Sequence, residues 1–64
     1  MNDGTVFGYA PDIEMGVIKT RDGQRFIFVK EDWPSSETTP TAGVMVAFEA
    51  SGPVAKKIKI VSPS

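Results

Sequence analysis

Apolar residues recur along this chain in short alternating runs, and clusters of Gly, Pro, Asp and Ser interrupt them about every 8–12 residues, which is the rhythm of a small sandwich or barrel. No stretch carries the apolar spacing of an amphipathic helix. Five strands are expected, over residues 5–10, 15–19, 26–30, 44–49 and 55–61. Val46 and Phe48 share one face of the fourth strand. Ile58 and Ile60 alternate with Lys57 and Lys59 on the fifth, an inside–outside pattern. Asp22-Gly23 separates the second and third strands and predicts a type I′ hairpin turn with Gly23 in a left-handed conformation. The hairpin reading sets Met15, Val17, Phe26 and Phe28 on one side of their strands. Residues 34–43 hold two prolines and no aliphatic side chain larger than Ala, and read as a polar surface loop. Short strands cannot all be left as edges in water, so closure into an all-β, five-stranded antiparallel barrel is expected.

The chain has 64 residues, enough for one domain, whose ends at about 1–3 and 62–64 are expected to be flexible. A chain this short buries only about 60 % of the surface that its unfolded form exposes, so the core must be well patterned. It has neither Cys nor His, which removes disulfides, thiolate metal sites and the usual general base. No metal and no cofactor are expected. Lys and Arg number seven against eight Asp and Glu, a net charge of −1, unlike a basic nucleic-acid tail or a polybasic membrane patch. The first residues, Met-Asn-Asp-Gly, lack the features of a signal peptide, and no apolar run approaches the roughly 18 residues of a membrane helix. A cytoplasmic protein, monomeric or weakly dimeric and without membrane insertion, is the expectation. The acidic pairs Asp12/Glu14 and Glu31/Asp32 lie in turns, where carboxylates stay solvated, and no nucleophile or phosphate-cradling motif accompanies them. An enzyme is not expected.

The succession Gly4-Thr5-Val6, Gly16-Val17-Ile18, Phe28-Val29, Gly43-x-x-Val46-x-Phe48-Glu49 and Gly52-Pro53-x-Ala55 resembles a bacterial cold-shock domain. That family is an OB-type barrel that binds single-stranded RNA and DNA, and the resemblance covers nearly the whole chain. Its Lys-Gly-Phe-Gly-Phe-Ile motif corresponds here to Ile13-Glu14-Met15-Gly16-Val17-Ile18, and its Val-Phe-Val-His-Phe motif to Ile27-Phe28-Val29-Lys30-Glu31. Two stacking Phe positions are thus Met15 and Val17, and Lys30 and Glu31 stand for the His and the last Phe. The family's first-strand Trp matches Gly8, and the Phe after it matches Tyr9. Gly16, Ile18, Asp22, Gly23, Arg25, Phe26, Phe28, Asp32 and Trp33 are also similar to a pattern of short, divergent bacterial domains that often precede membrane segments. Alternation and turn spacing set Val6, Ile18, Val46, Phe48 and Ile58 inside, and the family geometry implies that Ile27 and Val29 face inward with them. It implies that Phe26, Phe28 and Lys30 face outward.

Two functions follow as expectations. One is weak, low-specificity binding of single-stranded RNA or DNA on the Met15/Val17/Phe26/Phe28 face, with Tyr9 and Trp33 nearby and Lys19 and Lys30 reaching phosphates. The other is an unidentified protein partner on the same apolar patch. Trp33 reads equally as a plug beneath the 34–43 loop. Lys57 and Lys59, with Lys56, form the densest positive cluster, read either as a phosphate contact or as a solvated guard against aggregation. Arg21 and Arg25 flank the hairpin, where Arg25 has carboxylates near it to pair with.

Overall fold

The computed structural model describes residues 2–34 and 39–61. Strands form where the alternating runs lie: β1 Asn2–Ala10, β2 Met15–Lys19, β3 Arg25–Val29, β4 Met45–Ser51 and β5 Val54–Ile60. One 3-10 turn, Lys30–Asp32, follows β3. The strands close in the order β1-β2-β3-β5-β4, with β4 returning to β1. Closure removes the open edges that invite aggregation. The barrel is not wholly antiparallel as expected. β3 and β5 run parallel and meet at Ile27 opposite Val54, where the Ile27 N–H donates to the Pro53 carbonyl at 2.9 Å. An odd number of strands cannot alternate in direction all the way round a closed ring, so one parallel seam is unavoidable. Asn2 and Asp3, expected to be loose, pair with Phe48 and Ala47 of β4. Residues 62–64 and part of the 34–43 loop lie outside the described residues, while Pro40 within that loop is buried.

Val6, Ile18, Val46, Phe48 and Ile58 are buried as the alternation predicts, whereas Ile60, in phase with Ile58, is exposed at the end of β5. The inward assignment of Ile27 and Val29 is overturned. Ile27 is 43 % exposed and Val29 half-buried, whereas Phe26 and Phe28 join the core together with Trp33 and Ala55. Both faces of β3 are apolar, so alternation alone cannot tell in from out. Space decides it. Gly16 pairs with Phe28 across the β2–β3 ladder, and a Cβ at Gly16 would lie 2.5 Å from the Phe28 ring. The glycine therefore leaves room that only an inward ring fills. Phe28 then stacks between Trp33, at 5.8 Å between centroids, and Tyr9, at 6.2 Å. Phe26 packs against Phe48 at 5.1 Å in a tilted arrangement, within the range of favourable aromatic pairs.

Two bulges re-aim side chains. In β1, Val6 opposes Ile18 but Gly8 opposes Val17, so Phe7 is an extra residue. In β5 the register slips opposite Phe48, where Lys57 adopts φ +52. Each bulge lets two inward residues sit three apart, Val6 with Tyr9 and Ala55 with Ile58, where a regular strand would put them on opposite faces.

The β2–β3 connection is longer than a two-residue type I′ turn. It spans residues 20–24 between the paired Lys19 and Arg25, and the Gly23 N–H donates to the Thr20 carbonyl at 3.0 Å. Asp22 does not have the positive φ that type I′ requires; Gly23 does, at +91. The Thr20 hydroxyl donates to the Asp22 carboxylate, and the Gln24 N–H donates to the Thr20 hydroxyl oxygen at 3.1 Å. That hydroxyl bond is the main reason the Asp22 carboxyl is held below the ordinary aspartate value of 3.8. The unfolded chain thus binds this proton more readily than the folded one. The turn's contribution is complete above the ordinary value and is lost as pH falls through the lowered folded value. Asp22→Asn is accordingly expected to reduce the melting temperature near neutrality and to make no difference in strong acid. Melts of both proteins between neutral pH and strong acid would check this, and an equal gap at every pH would contradict it.

Candidate functional site

The outward residues of β1, β2 and β3 form one continuous face. Lys19 stands opposite Thr5 on one side and Arg25 on the other, and Val17 stands opposite Gly8 and Ile27. Phe7, next to the inward Val6, lies on this face, and the β1 bulge sets Gly8 outward beside it. The Phe7 ring is 59 % exposed, with Lys19 Nζ 5.5 Å and Arg25 Cζ 5.9 Å from its centroid. Both distances fall within about 6 Å, where a cation is attracted to a ring face. Arg25, for which the sequence offers a carboxylate partner, is thus drawn to an aromatic ring instead. The one ion pair among the described residues lies elsewhere, between Lys57 Nζ and Glu49 Oε2 at 3.4 Å. Lys19, Arg21 and Arg25 therefore meet no carboxylate at ion-pairing distance among the described residues, and their charge is available to an anion.

Beside Phe7 lies a shallow groove of about 460 Å³ whose walls include Ile13, Met15, Val17 and Ile27. Gly8 contributes to its floor, and a Cβ built there would meet nothing within 4 Å. Among the described residues no charged side chain lines it. Ile13 at the β1–β2 turn is 62 % exposed and Met15 is 37 % exposed.

The structure does not keep the sequence-derived candidates together. Met15, Val17 and Lys19 share the outer face as expected. Phe26, Phe28 and Trp33 do not: all three are buried, so none offers an open ring to a ligand. Tyr9 is half-buried, stacked on Phe28, and its hydroxyl titrates above the ordinary tyrosine value because of desolvation and then the negative charge of Glu14. The remaining cations are dispersed. Lys30 is half-buried in the 3-10 turn, where its N–H donates to the Glu14 carbonyl at 3.0 Å. Lys57 and Lys59 sit on β5, which neighbours neither β1 nor β2 in the barrel.

Sequence reasoning missed Phe7, Ile13 and Ile27. One signal for Phe7 was present. Phe7 follows Val6, which alternation sets inside, so the same alternation turns Phe7 outward.

Among the described residues no helix is long and apolar enough to cross a membrane, and no group of three or more acidic side chains could hold a metal ion. The chain matches no protein-family model, and searches of curated proteins and of solved structures likewise find no match.

Proposed function

We propose that this barrel binds single-stranded nucleic acid, weakly and with low sequence specificity, on the outer β1–β2–β3 face with Phe7 as the stacking ring. The observation that carries the reading is the exposed Phe7 ring with Lys19 and Arg25 beside it. A base needs an open ring and its phosphate a nearby cation, and here both are supplied within 6 Å. The resemblance of the sequence to a cold-shock domain adds support, because OB-type barrels present oligonucleotide sites on the face of strands 2 and 3. Ring and cations replace the platform that the sequence placed on Phe26 and Phe28. One open ring and few cations imply dissociation constants of roughly 10⁻⁵ M or weaker at physiological salt.

Phe7→Ala is expected to cost about 1–3 kcal/mol of binding to oligo-dT or oligo-U. It should leave the amide spectrum of the barrel intact, since the ring lies outside the core. Lys19→Ala should flatten the dependence of log K on log salt by about 0.7, one phosphate contact on a single strand. Unaltered binding by Phe7→Ala would refute the assignment, as would oligonucleotides that shift no resonance at millimolar concentration. A protein partner is the second reading, favoured by the uncharged groove between Ile13 and Ile27. Its affinity would respond little to salt.

A further inference from the structure

The outer surface on the other side of Phe7 carries a second groove, of about 500 Å³. It is lined by Phe7, Thr5, Met45 and Val61 and, on its cationic side, by Lys19 and Arg21. Its volume lies within the roughly 300–1,000 Å³ of small-ligand sites. Met45 is 49 % exposed and Val61 40 %. The register explains why they meet the cations. Met45 stands opposite Thr5, Thr5 opposite Lys19, and Lys19 opposite Arg25, while the Val61 N–H donates to the Met45 carbonyl at 2.9 Å. One row therefore runs across four strands, apolar at the β4 end and cationic at the β2–β3 end. Three inter-strand spacings of about 4.8 Å make this row roughly 14 Å long. That exceeds the span of one stacked nucleotide, about 3.4 Å. Among the described residues Asp3 is the single carboxylate in the lining, so two cations outweigh one acid and the groove favours an anion.

We infer that this groove holds the nucleotide next to the one stacked on Phe7, with its base against Met45 and Val61 and the intervening phosphate at Lys19 and Arg21. The inference rests on the proposed nucleic-acid function and adds a direction. The strand crosses β1 toward β4, rather than running along β2 and β3. An apolar floor with a cationic rim matches a base joined to a phosphate, and a purely apolar partner would gain nothing from Lys19 and Arg21.

The test is a titration of the labelled protein with the tetranucleotide dT4, following the Phe7 ring and the Met45 and Val61 methyl resonances. All three are expected to move together with one dissociation constant. Met45→Glu, which sets a carboxylate on the floor, should weaken dT4 binding about tenfold, on the scale of one stacked base. Arg21→Ala lies in an exposed turn and removes no core contact; it should flatten the salt dependence by about 0.7. If the Phe7 ring shifts while both methyls stay still, the groove assignment falls and the Phe7 reading stands. The same holds if Met45→Glu, with its fold intact, and Arg21→Ala both bind as the parent does. If no resonance moves, the nucleic-acid function fails and the groove assignment fails with it.

Discussion

Replacing Phe28 by Ala is expected to unfold the barrel, whereas Ile27→Ala should leave it folded. Phe28 is fully buried, and removing a buried ring costs about 3–5 kcal/mol in lost burial and residual cavity. A 64-residue domain has roughly 3–10 kcal/mol of stability in total. The substitution also takes away the ring on which Trp33 and Tyr9 stack, so the damage spreads to the end of the barrel they cover. Gly16 would be left facing empty space that no neighbour is shaped to fill. Ile27, nearly half exposed, loses mainly outer-face contacts when shortened. Urea unfolding of the two variants separates the alternatives. If Ile27→Ala were the more damaging, β3 would face the other way, with Phe28 open to ligands.

Gly8→Trp is expected to strengthen binding of oligo-dT, roughly five- to hundredfold, because one stacked base contributes about 1–3 kcal/mol. Gly8 lies on the outer face beside Phe7, and a Cβ there meets nothing within 4 Å. Its φ is not positive, so a side chain brings no backbone strain. The neighbouring groove of about 460 Å³ can receive part of an indole, which would cover Val17 and Ile27 and present its other face to solvent. The position is also where the resemblance to cold-shock domains places a Trp. Indole fluorescence is a poor reporter here, since Trp33 is already present and buried, so amide shifts should be followed instead. An intact fold with unchanged affinity would show that the outer face does not stack bases. A gain in affinity for a protein partner and none for oligonucleotides would favour the second reading.

How much of this was readable in advance differs from strand to strand. In β4 only the small Ala47 separates Val46 from Phe48, so alternation placed both inside, as it did Ile18 in β2. β3 reads Arg-Phe-Ile-Phe-Val, apolar on both faces, and there the pattern held no answer. The two-residue hairpin reading and the resemblance then both supplied the wrong phase. A turn over residues 20–24 pairs Lys19 with Arg25, which sets Ile27 beside Val17, and the Phe26 and Phe28 rings turn inward, where Gly16 leaves room. The candidate site moved with them, from Phe28 to Phe7.

By itself the sequence determined the class of the fold, the number and approximate place of its strands, the positive φ at Gly23 and most of the core. These depend on local preferences and on a two-residue period, both of which a single strand expresses. Only the tertiary structure decided which face of β3 is buried, where β1 and β5 slip by one residue, and which cations stand together. Alternation defines two faces but does not say which is inner; that depends on the volume left by residues on other strands, here Gly16 across from Phe28. A bulge changes the phase for every residue beyond it, so Gly8 joins the outward Phe7 on the outer face and Tyr9 turns toward the core. Lys19 and Arg25 meet over that ring because cross-strand register brings them level, and register is a property of paired strands rather than of either strand alone.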